Sequence, residues 1–161
     1  MHKTLLFIPM YNCEKQVVRV LGKIDEDVLK CIDEVIVVNN RSTDEGEEKV
    51  LEFKKNNLAF PIRLFRNNDN YGLGGSHKVA FEYAKDNGFT HVIVLHGDDQ
   101  GDIHDLLPYL ESGEAYEYDS FLGSRFAKGS NLVNYSKFRI FGNHVFNAFM
   151  TVMLFRRITD L

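Results

Sequence analysis

An α/β fold, with a mostly parallel sheet covered by helices on both faces, follows from three features of this 161-residue chain. Apolar, β-rich runs alternate with amphipathic helical stretches, the pattern of parallel strands joined by crossover helices. The first, second and fourth runs each close on polar, glycine or asparagine residues, which this topology collects on the carboxyl edge of the sheet, where open α/β sheets bind ligands. No internal repeat, low-complexity tract or linker interrupts the alternation, so the chain reads as one domain over residues 1–161.

Thr4–Ile8 is the first strand, and it stops at Pro9-Met10-Tyr11-Asn12. A helix over Glu14–Asp25 follows. Glu34–Val38 is the second strand, ending in Asn39-Asn40-Arg41-Ser42-Thr43-Asp44; Ser42 to Asp44 can also cap a helix over Asp44–Asn56. Asn56-Asn57 is its stop signal. Ile62–Arg66 is the third strand, followed by a glycine loop (Gly72, Gly74, Gly75) and a helix over Gly75–Asn87, which Asn87-Gly88 ends. His91–Leu95 is the fourth strand. It runs into His96-Gly97-Asp98-Asp99-Gln100-Gly101-Asp102, whose last residue caps a helix over Ile103–Glu111. Ser120–Gly123 is read as a fifth strand.

Composition narrows the function. With 44% hydrophobic residues the chain can build a core, and a net charge of -4 argues against a nucleic-acid binder that works by bulk electrostatics. Cys13 and Cys31 have neither metal-type spacing nor a disulfide framework, which favours a reduced, cytoplasmic setting. The first apolar run is broken by Pro9, Tyr11 and Asn12 too early for a signal peptide, and no stretch approaches the ~20 apolar residues of a membrane span. The chain stops at Thr159-Asp160-Leu161 with no closing glycine, proline or polar tail. It is therefore read as a piece of a longer protein whose exposed edge invites a homodimer.

The segment from His96 to Asp102 carries the most chemistry. A buried strand aims it, and positions two apart project to the same side. His96, Asp98 and Gln100 are thus expected to face one cavity, with Asp99 facing away. Few ligands in a partly open set suit Mg²⁺ or Mn²⁺ that also holds a phosphate. The glycine loop is neither a dinucleotide fingerprint nor a P-loop, because GxGxxG spacing and a closing GKS or GKT are both missing. Gly72 and Gly75 can still let backbone approach an anion at a helix amino terminus. Near the end, Val145–Phe155 is apolar with Lys137, Arg139, Arg156 and Arg157 beside it. Such a helix either packs on other protein or lies in an anionic membrane interface.

Six segments, in order, carry a resemblance: IPMYN (Ile8–Asn12), VIVVNNRSTD (Val35–Asp44), NYGLGGSHKVAFEYA (Asn70–Ala84), VIVLHGDDQGD (Val92–Asp102), GSRFAKGS (Gly123–Ser130) and the stretch from Phe138 to Asp160. Together they resemble family 2 glycosyltransferases, in the branch of polyprenyl-phosphate and dolichyl-phosphate sugar synthases. The resemblance implies a GT-A, Rossmann-like fold and hexose transfer from a nucleoside diphosphate sugar with Mg²⁺ or Mn²⁺. It makes Pro9, Tyr11 and Asn12 walls of the base and ribose site. Asn40 stands where an aspartate usually meets the base or ribose, and Asp44 matches the next acidic residue. Gly72 and Gly75 belong to the donor loop, with His96 and Gly97 on the donor side of the acidic motif. Asp98 is the metal-bearing carboxylate, flanked as ligands by His96, in place of the usual first aspartate, and Gln100. Arg125 is expected to meet a phosphate, and Asp160 opens an acceptor-side motif that is cut short here.

These implications give an inverting, metal-dependent hexosyltransferase acting on a polyprenyl phosphate or a cell-envelope glycan precursor, peripheral at the inner face of the cell membrane. A lipid phosphate is already ionised and needs no base, whereas an alcohol acceptor would. Two alternatives stand beside it. A non-catalytic nucleotide-sugar-binding module is suggested by the asparagine and histidine replacements. A sugar nucleotidyltransferase would need a basic glycine-rich loop after the first strand, where Pro9-Met10-Tyr11-Asn12 stands instead.

Overall fold

The computed structural model describes residues 2–57, 62–124, 126 and 136–160. They form two compact units, residues 1–119 and 120–161.

The first unit is built on four parallel strands, β1 (Thr4–Met10), β2 (Glu34–Asn39), β3 (Ile62–Arg66) and β4 (His91–Val94), in the order β3-β2-β1-β4. The chain winds outward from β1 through β2 to β3, then returns across β1 to add β4. β1 and β4 therefore flank the point where strand order reverses, the place where such sheets open a crevice. All seven residues of β1 are buried, because helices cover both faces. On one face Leu6, Ile8, Val35 and Val37 pack with α1 (Glu14–Gly22), α2 (Glu26–Cys31) and α3 (Gly46–Asn56) through Val17, Val20, Leu21, Val28 and Val50. On the other, Leu5, Phe7, Ile36 and Val38 meet Ala80 and Ala84 of α4 (Gly72–Asp86).

Backbone parity explains where β4 ends. Along β1, even-numbered residues turn their backbone groups to β2 and odd-numbered ones to β4: Thr4 O accepts from Asp33 N, while Phe7 O accepts from Leu95 N. The next rung would need an N–H from residue 9, and proline has none. The ladder accordingly stops at Phe7↔Val94, one residue before the Leu95 expected from sequence. The chain keeps a single further tie, Gly97 N to Pro9 O at 3.2 Å. On the other side β1 stays paired with β2 as far as Met10↔Asn39.

Three further sequence expectations need correction. The helix expected over Glu14–Asp25 ends at Gly22, and Asp25 instead caps α2, its Oδ1 accepting from the N–H groups of Asp27 and Val28 at 3.1 Å. The strand expected at Ser120–Gly123 does not form. It is a short run ending in glycine with Leu122 83% exposed, so no buried face pins it into a ladder. The helix expected over Ile103–Glu111 is interrupted, giving a 3₁₀ turn at Ile103–Asp105 and then α5 (Leu107–Glu111). The second unit contains α6 (Lys137–Leu154), with Thr151 Oγ1 accepting from Ile158 N at 2.9 Å and the buried Asn147 donating to Thr159 O at 2.8 Å.

Candidate active site

A crevice of about 330 Å³ opens where β4 leaves β1, a volume in the range of small-ligand sites. Its floor and near wall are Pro9, Met10, Tyr11 and Cys13 beyond β1, with Asn40 beyond β2. Asn70, Gly72, Leu73 and Ser76 contribute from the start of α4, and His96, Gly97 and Asp98 from beyond β4. One residue beyond each strand end has positive φ: Asn12 (50°), Arg41 (65°), Asp99 (64°) and Gly72 (67°). Gly72 is the first residue of α4, so that helix starts three residues before the Gly75 expected from sequence and takes in the glycine loop. For the three non-glycine residues positive φ costs conformational energy, a recurrent feature of functional sites.

The wall beneath Asn40 is a network of amides. Asn40 Oδ1 accepts from Tyr71 N and from Asn67 Nδ2, both at 2.9 Å, and Asn40 Nδ2 donates to Asn70 Oδ1 at 2.7 Å. Asn70 Oδ1 also accepts from Gly72 N at 3.0 Å, and Asn67 Nδ2 from its other hydrogen reaches Ser76 Oγ at 3.2 Å. Backbone N–H groups are obligate donors, so those of Tyr71 and Gly72 dictate which end of each amide is oxygen. The network joins the ends of β2 and β3 to the first turn of α4. Sequence reasoning passed over Asn67. The signal was there in Arg66-Asn67-Asn68-Asp69-Asn70, a fourth polar strand end beside the three already counted.

The acidic loop is held close to β1. A Cβ on Gly97 would stand 2.9 Å from the Pro9 carbonyl oxygen and 3.2 Å from Cys13 Sγ, so only glycine lets the loop lie there undisturbed. Asp98 is exposed into the crevice and accepts from Gln100 N at 3.2 Å. His96 is exposed beside it, its ring 6.3 Å from that of His77, which donates from Nδ1 to Leu73 O at 2.8 Å. Burial, reinforced by the carboxylates of Asp44 and Asp98, pushes the Cys13 thiol up, so this lining residue stays protonated and uncharged near neutrality.

The sequence profile described as Glycosyl transferase family 2 matches residues 6–160. The chain belongs to this family. A dolichol-phosphate mannosyltransferase of Pyrococcus furiosus is 26% identical over 137 residues, covering 85% of this chain and 37% of that relative. Residues 1–349 of S. aureus TarS are similar in structure with a TM-score of 0.57 at 21% identity, covering 82% of this chain and 38% of that one. The same protein in complex with UDP-GlcNAc gives 0.57 and 21%, with 82% and 37% covered. The chain thus spans well under half the length of these relatives. The α/β, GT-A fold expected from the sequence is the fold observed.

Of the residues that the family resemblance singled out, Pro9, Tyr11, Asn40, Gly72, His96, Gly97 and Asp98 line the crevice. Others are not among the lining residues. Asn12 Oδ1 accepts from Thr43 N at 2.8 Å, tying the first loop to the second. Asp44 accepts from Glu14 N at 2.8 Å and Gly46 N at 3.1 Å, so its carboxylate serves the starts of α1 and α3. Gly75 lies in the first turn of α4, where a Cβ would collide with the Tyr71 side chain. Gln100 is exposed and is not among the lining residues. Among the described residues no three His, Cys, Asp or Glu side chains converge as a metal cluster, and of the set expected for a cation His96 and Asp98 line the crevice. One carboxylate and one imidazole on an open rim do fit a divalent ion whose other positions go to phosphate and water. Asp160 is half-buried in the second unit, and Arg125 lies outside the described residues.

Proposed function

We propose that this chain is the donor-binding part of a glycosyltransferase that moves a hexose from a nucleoside diphosphate sugar to a lipid phosphate or a glycan precursor. The observation that carries the reading is the convergence of Tyr11 and Asn40 with His96 and Asp98 on one crevice at the sheet's switch point. Tyr11 and Asn40 offer an aromatic ring and an amide suited to a base and ribose, and Asp98 and His96 a carboxylate and an imidazole suited to a cation-bound diphosphate. The name of the Pyrococcus furiosus relative supports a lipid-phosphate acceptor.

In this reading Tyr11 supplies an apolar face to the base, and Asn40 offers its remaining Nδ2 hydrogen to a base or ribose oxygen. Its carbonyl is already taken by Asn67 and Tyr71. Gly72 and Ser76 bring the first turn of α4 toward the donor. Asp98 and His96 hold a Mg²⁺ or Mn²⁺ ion, which when bound neutralises charge developing on the departing diphosphate. The acceptor oxygen attacks the anomeric carbon from the face opposite that diphosphate, the carbon–oxygen bond to it breaks, and configuration inverts. Arg125 is assigned to a phosphate and Asp160 to the acceptor side. No helix among the described residues is long and apolar enough to cross a membrane. Work at the inner membrane surface is assigned to α6, whose exposed face carries Phe138, Phe141, Val145, Phe149 and Val152.

Thermal melting of the full chain with UDP-, GDP-, CDP- and dTDP-hexoses, with and without Mn²⁺, tests the proposal. A donor at a hundred times its Kd adds about 2.7 kcal/mol to stability, a shift of several degrees. One base class is expected to give that shift only with the cation, and Asp98→Ala to lose the cation-dependent part. No shift with any donor would refute the reading.

A further inference from the structure

Asp98 and Asp99 are neighbours with opposite surroundings. Asp98 faces the crevice, while Asp99 turns back to α1 with only 15% of its side chain exposed. Its Oδ2 accepts from Arg19 Nε at 2.8 Å, and its Oδ1 faces the Lys23 ammonium at 2.9 Å as an ion pair rather than a well-directed hydrogen bond. The two cations are themselves fixed. Arg19 donates from Nη1 to Lys15 O at 2.9 Å, and Lys23 reaches Asp102 Oδ2 at 3.2 Å. Lys23 and Arg19 together hold the Asp99 carboxyl below the usual carboxylate range.

This clamp sits on a residue in the left-handed region, with φ at 64°, which costs a non-glycine residue conformational energy although aspartate tolerates it better than most. The ties from Asp99 to Arg19 and Lys23 hold the backbone directly after Asp98 against α1. Gly97 fixes the other side of Asp98 through its bond to Pro9 O. Asp98 is thus strung between two fixed points, one on β1 and one on α1. Neither Arg19 nor Lys23 nor Asp99 lines the crevice.

We propose that Asp99, held by Arg19 and Lys23, is a positioning residue that directs Asp98 into the crevice and so sets the cation affinity of the site without touching cation or donor. The inference rests on the reading above, that the crevice takes a divalent ion with a nucleoside diphosphate. Partners that orient a metal ligand typically change metal affinity 10–100-fold when removed, and Asp99→Ala is expected to weaken Mn²⁺ binding by about tenfold on that scale.

The test is Mn²⁺ titration of the full chain, followed by loss of the free-ion EPR signal, in the presence of GDP or UDP. The same nucleotide is titrated separately in EDTA. Asp99→Ala lowers Mn²⁺ affinity, Arg19→Ala and Lys23→Ala lower it less, and Asp99→Ala combined with Arg19→Ala is no worse than Asp99→Ala alone, because one clamp is being removed. Arg19 is 57% exposed, so its variant is a mild one that keeps the fold. Nucleotide affinity in EDTA stays at the wild-type value in all of them. Mn²⁺ affinity of Asp99→Ala within twofold of wild type overturns the positioning role alone. Equal loss of nucleotide affinity in EDTA also overturns it, because the residue would then hold the whole crevice together. A wild-type chain that takes up no Mn²⁺ with either nucleotide overturns both this role and the functional reading beneath it.

Discussion

Asn40 shows how one side chain's chemistry is settled by residues far along the chain. Family resemblance makes this position an aspartate, yet here the group opposite is the Asn70 carbonyl oxygen, which Gly72 N prevents from turning away. A carboxylate would place oxygen against oxygen on a residue only 5% exposed. Asn40→Asp is therefore expected to cost about 1–3 kcal/mol, the range for a buried polar contact left unmade, read as a lower urea midpoint. An unchanged midpoint would mean that the amide network can reverse. The departure from aspartate was visible in the sequence. Its compensation was not, because Asn67 and Asn70 lie 27 and 30 positions away and no local pattern links them to Asn40.

At the scale of elements, short-range signals were read well and competing signals were not. β3 ran from Ile62 to Arg66 as expected, since its apolar core is bracketed by turn residues on its far side. The apolar period continues through Ile24 and carries the expected helix past the end of α1 at Gly22, although Asp25 followed by Glu26 and Asp27 is a helix start. α6 has its own consequence. Phe138, Phe141, Val145, Phe149 and Val152 recur at three- and four-residue steps, all more than half exposed, with exposed Arg139, Arg156 and Arg157 alongside. Under the proposed function this face meets an anionic bilayer surface. The full chain is expected to sediment with vesicles containing phosphatidylglycerol and less with phosphatidylcholine alone, and Phe141→Ser with Phe149→Ser to abolish the difference. Equal recovery in the supernatant with both lipids would count against it.

At the scale of the whole molecule, a chain of charges links the acidic loop to the first two helices. His104 takes part through both ring nitrogens, Nδ1 to Asp102 at 2.9 Å and Nε2 to Asp25 at 3.0 Å. Asp25 first and Asp102 second raise its pKa above the ordinary value. The protonated form is thus favoured by folding, so its stabilisation is full below about pH 6.5 and disappears as pH rises through the higher folded value. The carboxylates of Asp25, Asp99 and Asp102 are lowered, and their contribution is lost in acid as pH falls through their folded values. Melting temperature is expected to fall above neutrality more for wild type than for His104→Gln, with the gap narrowing in high salt because these groups are partly exposed. Parallel pH profiles for the two proteins would remove His104 from the account. The α/β class with its mostly parallel sheet was legible in the sequence because each of the four strands carries its own apolar run and its own polar end. Which acidic side chains face the crevice and which tie loops together was not, because that depends on tertiary neighbours: Asp98 lines the crevice, while Asp44 ties the starts of two helices.

The proline at position 9 deserves one last deduction. It works like a missing tooth in a zipper: β1 and β4 close up to Phe7 and Val94, then part. Any residue with an amide hydrogen there would let the teeth engage once more and draw the following segment flat along its neighbour. The room for a guest beside the central strand therefore depends on one hydrogen atom that an imino acid cannot carry.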